Sequence, residues 1–85
     1  MYKITIKKTA NKELNSLPNK IAAKIVQAVY GLGRNPRPQG SKKLKGTYEP
    51  LWRIRIGDYR VIYIIDDVIK IVDIQKVGHR KDIYD

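Results

Sequence analysis

The chain contains no cysteine, which removes a disulfide framework, a thiolate metal site and a cysteine nucleophile together. No apolar run comes near the roughly 18 residues that read as a membrane-spanning helix. The opening Met1-Tyr2-Lys3-Ile4-Thr5-Ile6-Lys7 alternates where a secretory core would be continuous, so a cytoplasmic protein is expected. One histidine and no clustered carboxylates offer no metal-ligand set, and no cofactor or metal is expected. Acid is scarce in one half only. Residues 1–45 carry eleven Lys/Arg against a single acid, Glu13, whereas residues 46–85 carry seven of each. The net charge of +10 therefore belongs to the first half. It points to a polyanionic partner, nucleic acid or an acidic protein, with a solubilising lysine face as the alternative. A chain of 85 residues buries only roughly 60–65% of its unfolded surface, so one domain over 1–85 is expected, without a large enclosed pocket.

The pattern along the chain divides into strand, helices, loop and strands. Residues 2–7 place apolar side chains at every second position, the period of a half-buried strand. Thr9 is placed to cap a short helix carrying Ala10, Leu14 and Leu17. Pro18 then opens a second helix with Ile21, Ile25, Ala28, Val29 and Leu32 along one stripe, ending at Gly31 and Gly33. Lys20, Lys24 and Gln27 fall on its opposite face. Residues 34–46 have two prolines, two glycines and five basic residues and read as a loop, long enough to be functional. Leu51–Ile56, Tyr59–Ile65 and Val68–Val77 are rich in Ile, Val and Tyr, with Gly57-Asp58 and Asp66-Asp67 as two-residue hairpin turns. The expected fold is α+β: two N-terminal helices on one face of a four-stranded, mainly antiparallel sheet.

Register then sorts the side chains. A two-residue turn at Gly57-Asp58 puts Arg55 opposite Arg60, Ile54 opposite Val61 and Arg53 opposite Ile62. Trp52, Ile54, Ile56, Tyr59, Val61 and Tyr63 share the face suited to the helices, and Arg53, Arg55 and Arg60 share an open face. Opposed like charges destabilise a strand pair by about 0.2–1 kcal/mol. Guanidiniums in that position suit a phosphate instead. The alternative is an ordinary charged surface, since a tight turn at Asp66-Asp67 would bring Asp73 opposite Arg60. The C-terminal Val77-Gly78-His79-Arg80-Lys81-Asp82-Ile83-Tyr84-Asp85 adds a fourth arginine, the histidine and a late tyrosine, with Arg80 and Tyr84 on one side if the tail is helical.

The stretch Leu44-Lys45-Gly46, the run from Leu51 to Tyr63 containing Gly57-Asp58-Tyr59-Arg60, and Val77-Gly78-His79-Arg80 with Tyr84 resemble the RelE/ParE superfamily of type II toxin–antitoxin toxins, over essentially the whole chain. The resemblance implies one of two activities on that fold. RelE-type members are ribosome-dependent endoribonucleases that cut mRNA in the A site, and ParE-type members inhibit DNA gyrase. The positions RelE-type toxins use correspond to Arg53, Arg55, Arg60, Arg80 and Tyr84, which implies the nuclease branch; a gyrase inhibitor, or a non-catalytic relative that binds RNA or an antitoxin, is the alternative. The implied reaction is metal-free attack of a ribose 2′-hydroxyl on the adjacent phosphate. Arginine cannot be deprotonated in a protein, so Arg53 and Arg55, where some relatives have lysines, are not the general base. The spacing from Arg80 to Tyr84 is shorter than in some relatives. Tyr84 is implied to stack or assist proton transfer, with His79 as the alternative proton-transfer group. Lys20, Lys24, Lys42, Lys43 and Lys45 are the expected footprint on ribosomal RNA. The implied partners are a cognate antitoxin and a ribosome with bound mRNA, with no membrane and no direct DNA binding except through the antitoxin complex.

Overall fold

The structure is a computed structural model and describes residues 1–83. Its elements run β1 (Lys3–Ile6), α1 (Lys8–Asn15), α2 (Asn19–Arg34), β2 (Lys42–Lys43), β3 (Leu51–Ile56), β4 (Tyr59–Asp66) and β5 (Ile71–His79). The sheet has five strands in the order β1-β5-β4-β3-β2. The fifth strand is β2, two residues inside the loop read from sequence, paired antiparallel with β3 through Lys42–Arg53 and Lys43–Trp52. So short a strand leaves no alternation to read. β1 pairs parallel with β5, and the other pairs are antiparallel.

The helix ends differ from their sequence signals. Thr9 lies inside α1; the helix begins at Lys8, with Lys7 as its extended N-cap and no side-chain cap bond. Pro18 is the N-cap of α2 rather than a first-turn residue, and its carbonyl accepts the Ala22 N–H. Gly31 and Gly33 are both within α2, which stops at Arg34 because Pro36 cannot continue it. Gly33 serves packing instead. The Tyr2 N–H donates to its carbonyl at 2.7 Å, and a Cβ there would lie 3.1 Å from the Tyr2 carbonyl. The glycine thus lets β1 cross the last turn of α2.

The helices cover one sheet face, and between them lies a core of Ala10, Leu14, Ile25, Val29, Leu32, Ile54, Val61, Tyr63, Val72, Ile74 and Val77. Val72 and Ile74 alternate normally, but Val77 comes three positions later. All three face inward because β5 shifts register opposite Ile62/Tyr63, an extra residue that a regular strand could not accommodate. Beyond this point β5 has outrun β1, which ends at Ile6. Helix α1 takes over that edge, and the Glu13 carboxylate accepts the Val77 N–H at 3.1 Å. The only acid of the first half is therefore a structural acceptor for an otherwise uncovered strand edge. Glu13→Ala is expected to cost about 1–3 kcal/mol in urea unfolding, the penalty for a buried donor left unmet, whereas Glu13→Gln keeps an acceptor and most of the stability.

The β3–β4 hairpin has the register derived from a two-residue turn. Gly57 has φ +58° and Asp58 does not go positive, the type II′ pattern that demands glycine first. The β4–β5 connection departs from expectation. The Asp66 carboxylate accepts the N–H groups of Val68 and Ile69, and Lys70 takes φ 58°, so the turn spans Asp67–Lys70 and β5 starts at Ile71. This shift places Asp73 opposite Ile64 and Gly78 opposite Arg60. Asp73 is occupied elsewhere, accepting from Thr5 Oγ1 and Gln75 Nε2, both at 2.7 Å. The Asp73–Arg60 ion pair does not form.

Candidate phosphate-binding surface

Arg53, Arg55 and Arg60 project from the helix-free face of β3 and β4, with Arg55 and Arg60 as direct strand partners. The face is not open at this point. Arg53 is 4% exposed and Arg60 7%, whereas Arg55 is exposed. Arg60 folds back over the hairpin, its Nη1 donating to the carbonyls of Gly57 and Tyr59, both at 3.0 Å. Arg53 Nη1 reaches the Gly40 carbonyl at 3.4 Å, linking the arginine to the basic loop. Arg80 comes to the same turn from β5. Its N–H donates to the Asp58 carbonyl at 2.7 Å, and its Nε lies 3.7 Å from Asp58 Oδ1 on the exposed rim. The hairpin turn thus gathers Arg60 and Arg80 from elements twenty residues apart in sequence, with Arg55 opposite Arg60.

Gly78 leaves room for this arrangement. It is the strand partner of Arg60, and a Cβ there would lie 3.2 Å from Ile83 Cδ1. Lacking a side chain, it lets Ile83 fold onto the sheet with 7% exposure, which closes the C-terminal turn that carries Arg80. Among the described residues no group of three His, Asp or Glu side chains could hold a metal ion.

His79 is placed differently. It pairs with Tyr59 in the ladder, so it stands on the helix side of β5 while Arg60 and Gly78 stand on the other. Its ring meets Tyr59 edge-on at 5.3 Å, and its Nδ1 accepts the Lys81 N–H at 3.1 Å. Tyr84 lies outside the described residues. Lys20 and Lys24 are exposed on α2, on the helix side; Lys42, Lys43 and Lys45 are exposed at the opposite sheet edge, where Lys42 is the strand partner of Arg53. Lys20 and Lys24 therefore lie apart from the guanidiniums, whereas Lys42 stands beside Arg53 across the ladder.

One cation of the basic loop, Arg37, is structural, with no sequence signal to mark it. Arg37 donates to both carboxylate oxygens of Asp67, at 3.3 and 2.8 Å, and lies 5.1 Å from the Trp52 ring centroid. Tyr2 Oη donates to the same carboxylate. The Arg37 hydrogen bonds, seconded by Tyr2, hold the Asp67 carboxyl down at about 2 and raise the Arg37 pKa. Beneath them the Tyr63 hydroxyl donates to the Pro36 carbonyl at 2.7 Å, and burial pushes its pKa up to about 12. These contacts pin the basic loop to the far end of the sheet. Because Asp67 ionises more readily in the folded chain than its usual 3.8, its stabilising effect is complete above that pH and is lost as pH falls through about 2. Asp67→Asn is expected to lower the urea midpoint at pH 7, with the difference from the unmodified protein closing at pH 2.

The model described as "ParE toxin of type II toxin-antitoxin system, parDE" matches residues 4–84. A toxin of Mycobacterium tuberculosis named RelE is 43% identical over 84 residues, covering 98% of this chain and 86% of the relative. Among solved structures, the RelBE2 toxin–antitoxin complex of the same organism contains a chain with TM-score 0.83 and 34% identity, the match covering 93% of this chain and 98% of that one. The archaeal RelE–RelB complex of Pyrococcus horikoshii gives TM-score 0.81 at 35% identity, with 93% and 94% covered. With its two helices on one side of the sheet and a match over nearly all its length, the chain belongs to the ParE toxin family of type II toxin–antitoxin systems, within the RelE/ParE superfamily.

Proposed function

We propose that the protein is the nuclease kind of toxin: a ribosome-dependent endoribonuclease that cuts mRNA in the A site and so arrests translation. The observation that carries this reading is the convergence of Arg55, Arg60 and Arg80 on one hairpin, with Arg53 behind them, an arrangement of guanidiniums that suits a phosphate. The 2′-oxygen attacks the adjacent phosphorus, the bond to the 5′-oxygen breaks, and a 2′,3′-cyclic phosphate and a 5′-hydroxyl result. A base takes the 2′-hydroxyl proton, and an acid supplies one to the leaving oxygen. The guanidiniums stabilise the charge gathering on the phosphorane, which is often the largest catalytic contribution. They cannot transfer the protons. Of the two remaining candidates, ladder pairing with Tyr59 sets His79 across the strand from Arg60, so the proposal favours Tyr84.

The lysines of α2 and of the basic loop supply nonspecific attraction to ribosomal RNA. Solved relatives in complex with antitoxins support a cognate antitoxin as the neutralising partner here. Any DNA binding would then belong to that complex.

The family model's ParE description favours a second reading, inhibition of DNA gyrase on the same fold. Pulse-labelling after induction separates the two. The nuclease reading expects protein synthesis to stop first while DNA synthesis continues; arrest of DNA synthesis with translation intact would overturn it.

A further inference from the structure

Beside the arginines, the helix-free face holds a groove that the proposed chemistry does not use. It lies between the 44–50 loop and the C-terminal turn and has a volume of about 490 Å³, within the roughly 300–1,000 Å³ of small-ligand sites. Leu51 and Ile62 contribute apolar lining from the sheet, and Leu44 and Ile83 contribute it from the two flanking segments. Tyr48, also lining the groove, is 107% exposed, its ring offered entirely to solvent. The loop that carries it is held by Thr47 Oγ1 donating to the Glu49 carbonyl and by Leu44 N–H donating to Leu51 at 2.9 Å. The polar lining includes two cations, Lys7 and Lys76, two carboxylates, Glu49 and Asp82, and Gln75, whose Nε2 is already engaged with Asp73.

The groove adjoins the guanidiniums directly. Ile62 is the strand partner of Arg53, and Ile83 rests on Gly78, the strand partner of Arg60. An RNA strand with a phosphate on the arginines would carry a neighbouring nucleotide toward the groove. An apolar lining suits the face of an unstacked base, an exposed tyrosine suits stacking, and lysines suit flanking phosphates. Carboxylates accept from exocyclic amino groups.

We infer that this groove is a base-recognition subsite of the nuclease site, holding an amino-bearing base (adenine, cytosine or guanine) stacked on Tyr48, with Glu49 or Asp82 accepting from its amino group. Uracil, which has a carbonyl in place of that amino group, is disfavoured there. The inference rests on the nuclease reading and adds a sequence preference to it.

The test is cleavage kinetics on ribosomes programmed with A-site codons that differ at one nucleotide, for the unmodified protein, Tyr48→Ala, Tyr48→Trp, Glu49→Gln and Asp82→Asn. Tyr48→Ala is expected to raise KM for codons with an amino-bearing base by roughly 5- to 150-fold with kcat unchanged, the scale of one lost base–aromatic stack. Tyr48→Trp restores KM, and Glu49→Gln or Asp82→Asn narrows the preference over uracil. Full exposure of Tyr48 means that neither replacement disturbs the core. An active unmodified protein whose KM Tyr48→Ala leaves unchanged, or whose preference over uracil neither Glu49→Gln nor Asp82→Asn alters, overturns the subsite and leaves the nuclease reading standing. No cleavage of any programmed ribosome by the unmodified protein overturns both.

Discussion

Arg60→Ala is expected to reduce mRNA cleavage by about 100- to 1000-fold, the loss that follows removal of one donor from a preorganised anion-stabilising site. The position combines three properties that the other arginines share only in part. It is nearly buried, so its charge acts through protein rather than water; it is fixed by two hydrogen bonds to turn carbonyls; and it faces a second guanidinium across the ladder. Burial also separates Arg60 from Arg80 in expected behaviour. Arg80 is exposed at the rim, where solvent screens its ion pair with Asp58, so Arg80→Ala should cost activity with little stability. Arg60→Lys keeps the charge but not the planar fork, and is expected to recover only part of the lost rate. Single-turnover cleavage on programmed ribosomes, with urea unfolding alongside, separates the catalytic from the structural loss.

Gly78→Val is the second large effect, expected at about 100-fold on cleavage, the scale that roughly 1 Å of misplacement costs at a reacting centre. Valine is a good strand residue. The conflict is with one neighbour: even the first added carbon would lie 3.2 Å from Ile83 Cδ1 and 3.5 Å from its Cγ1, so Ile83 must shift, and the two methyls beyond it press further on the C-terminal turn. Arg80 travels with that turn. Since Ile83 packs on the outer face, away from the core under the helices, the melting temperature should fall far less than the activity. Adding Ile83→Ala makes room and should recover part of the rate, a coupling expected between residues in contact. A Gly78→Val protein that cleaves normally would show that the position of the turn does not matter.

These two residues also show what is legible in such a chain. The face shared by Arg53, Arg55 and Arg60 follows from alternation and one glycine turn, and the β3–β4 ladder has that register. Burial of two of them does not follow from alternation, because Arg53 reaches Gly40 in the loop after α2 and Arg60 folds back over its own hairpin turn. The β4–β5 turn departs from its sequence signal for a similar reason. Asp66 and Asp67 look like a tight turn, but the Asp66 carboxylate binds two later amides and Asp67 is drawn off to Arg37, so the loop is four residues and every partner on β5 moves. Glu13 was legible as the lone acid of the first half and nothing more; its use at the β5 bulge depends on where β1 ends. Tyr48 carried a signal that could have been read, an aromatic placed between Gly46 and Pro50 in a loop where no core position was available.

The most direct measurement of the central claim uses a ribosome carrying an mRNA with one 2′-deoxy nucleotide in the A-site codon, incubated with the purified protein beside the all-ribose mRNA. The account predicts cleavage of the ribose message to a 2′,3′-cyclic phosphate and a 5′-hydroxyl, abolished when the deoxy sugar lies 5′ to the scissile phosphate. Cleavage that persists through the deoxy position, or an intact message under conditions where the same protein blocks gyrase supercoiling, would contradict it.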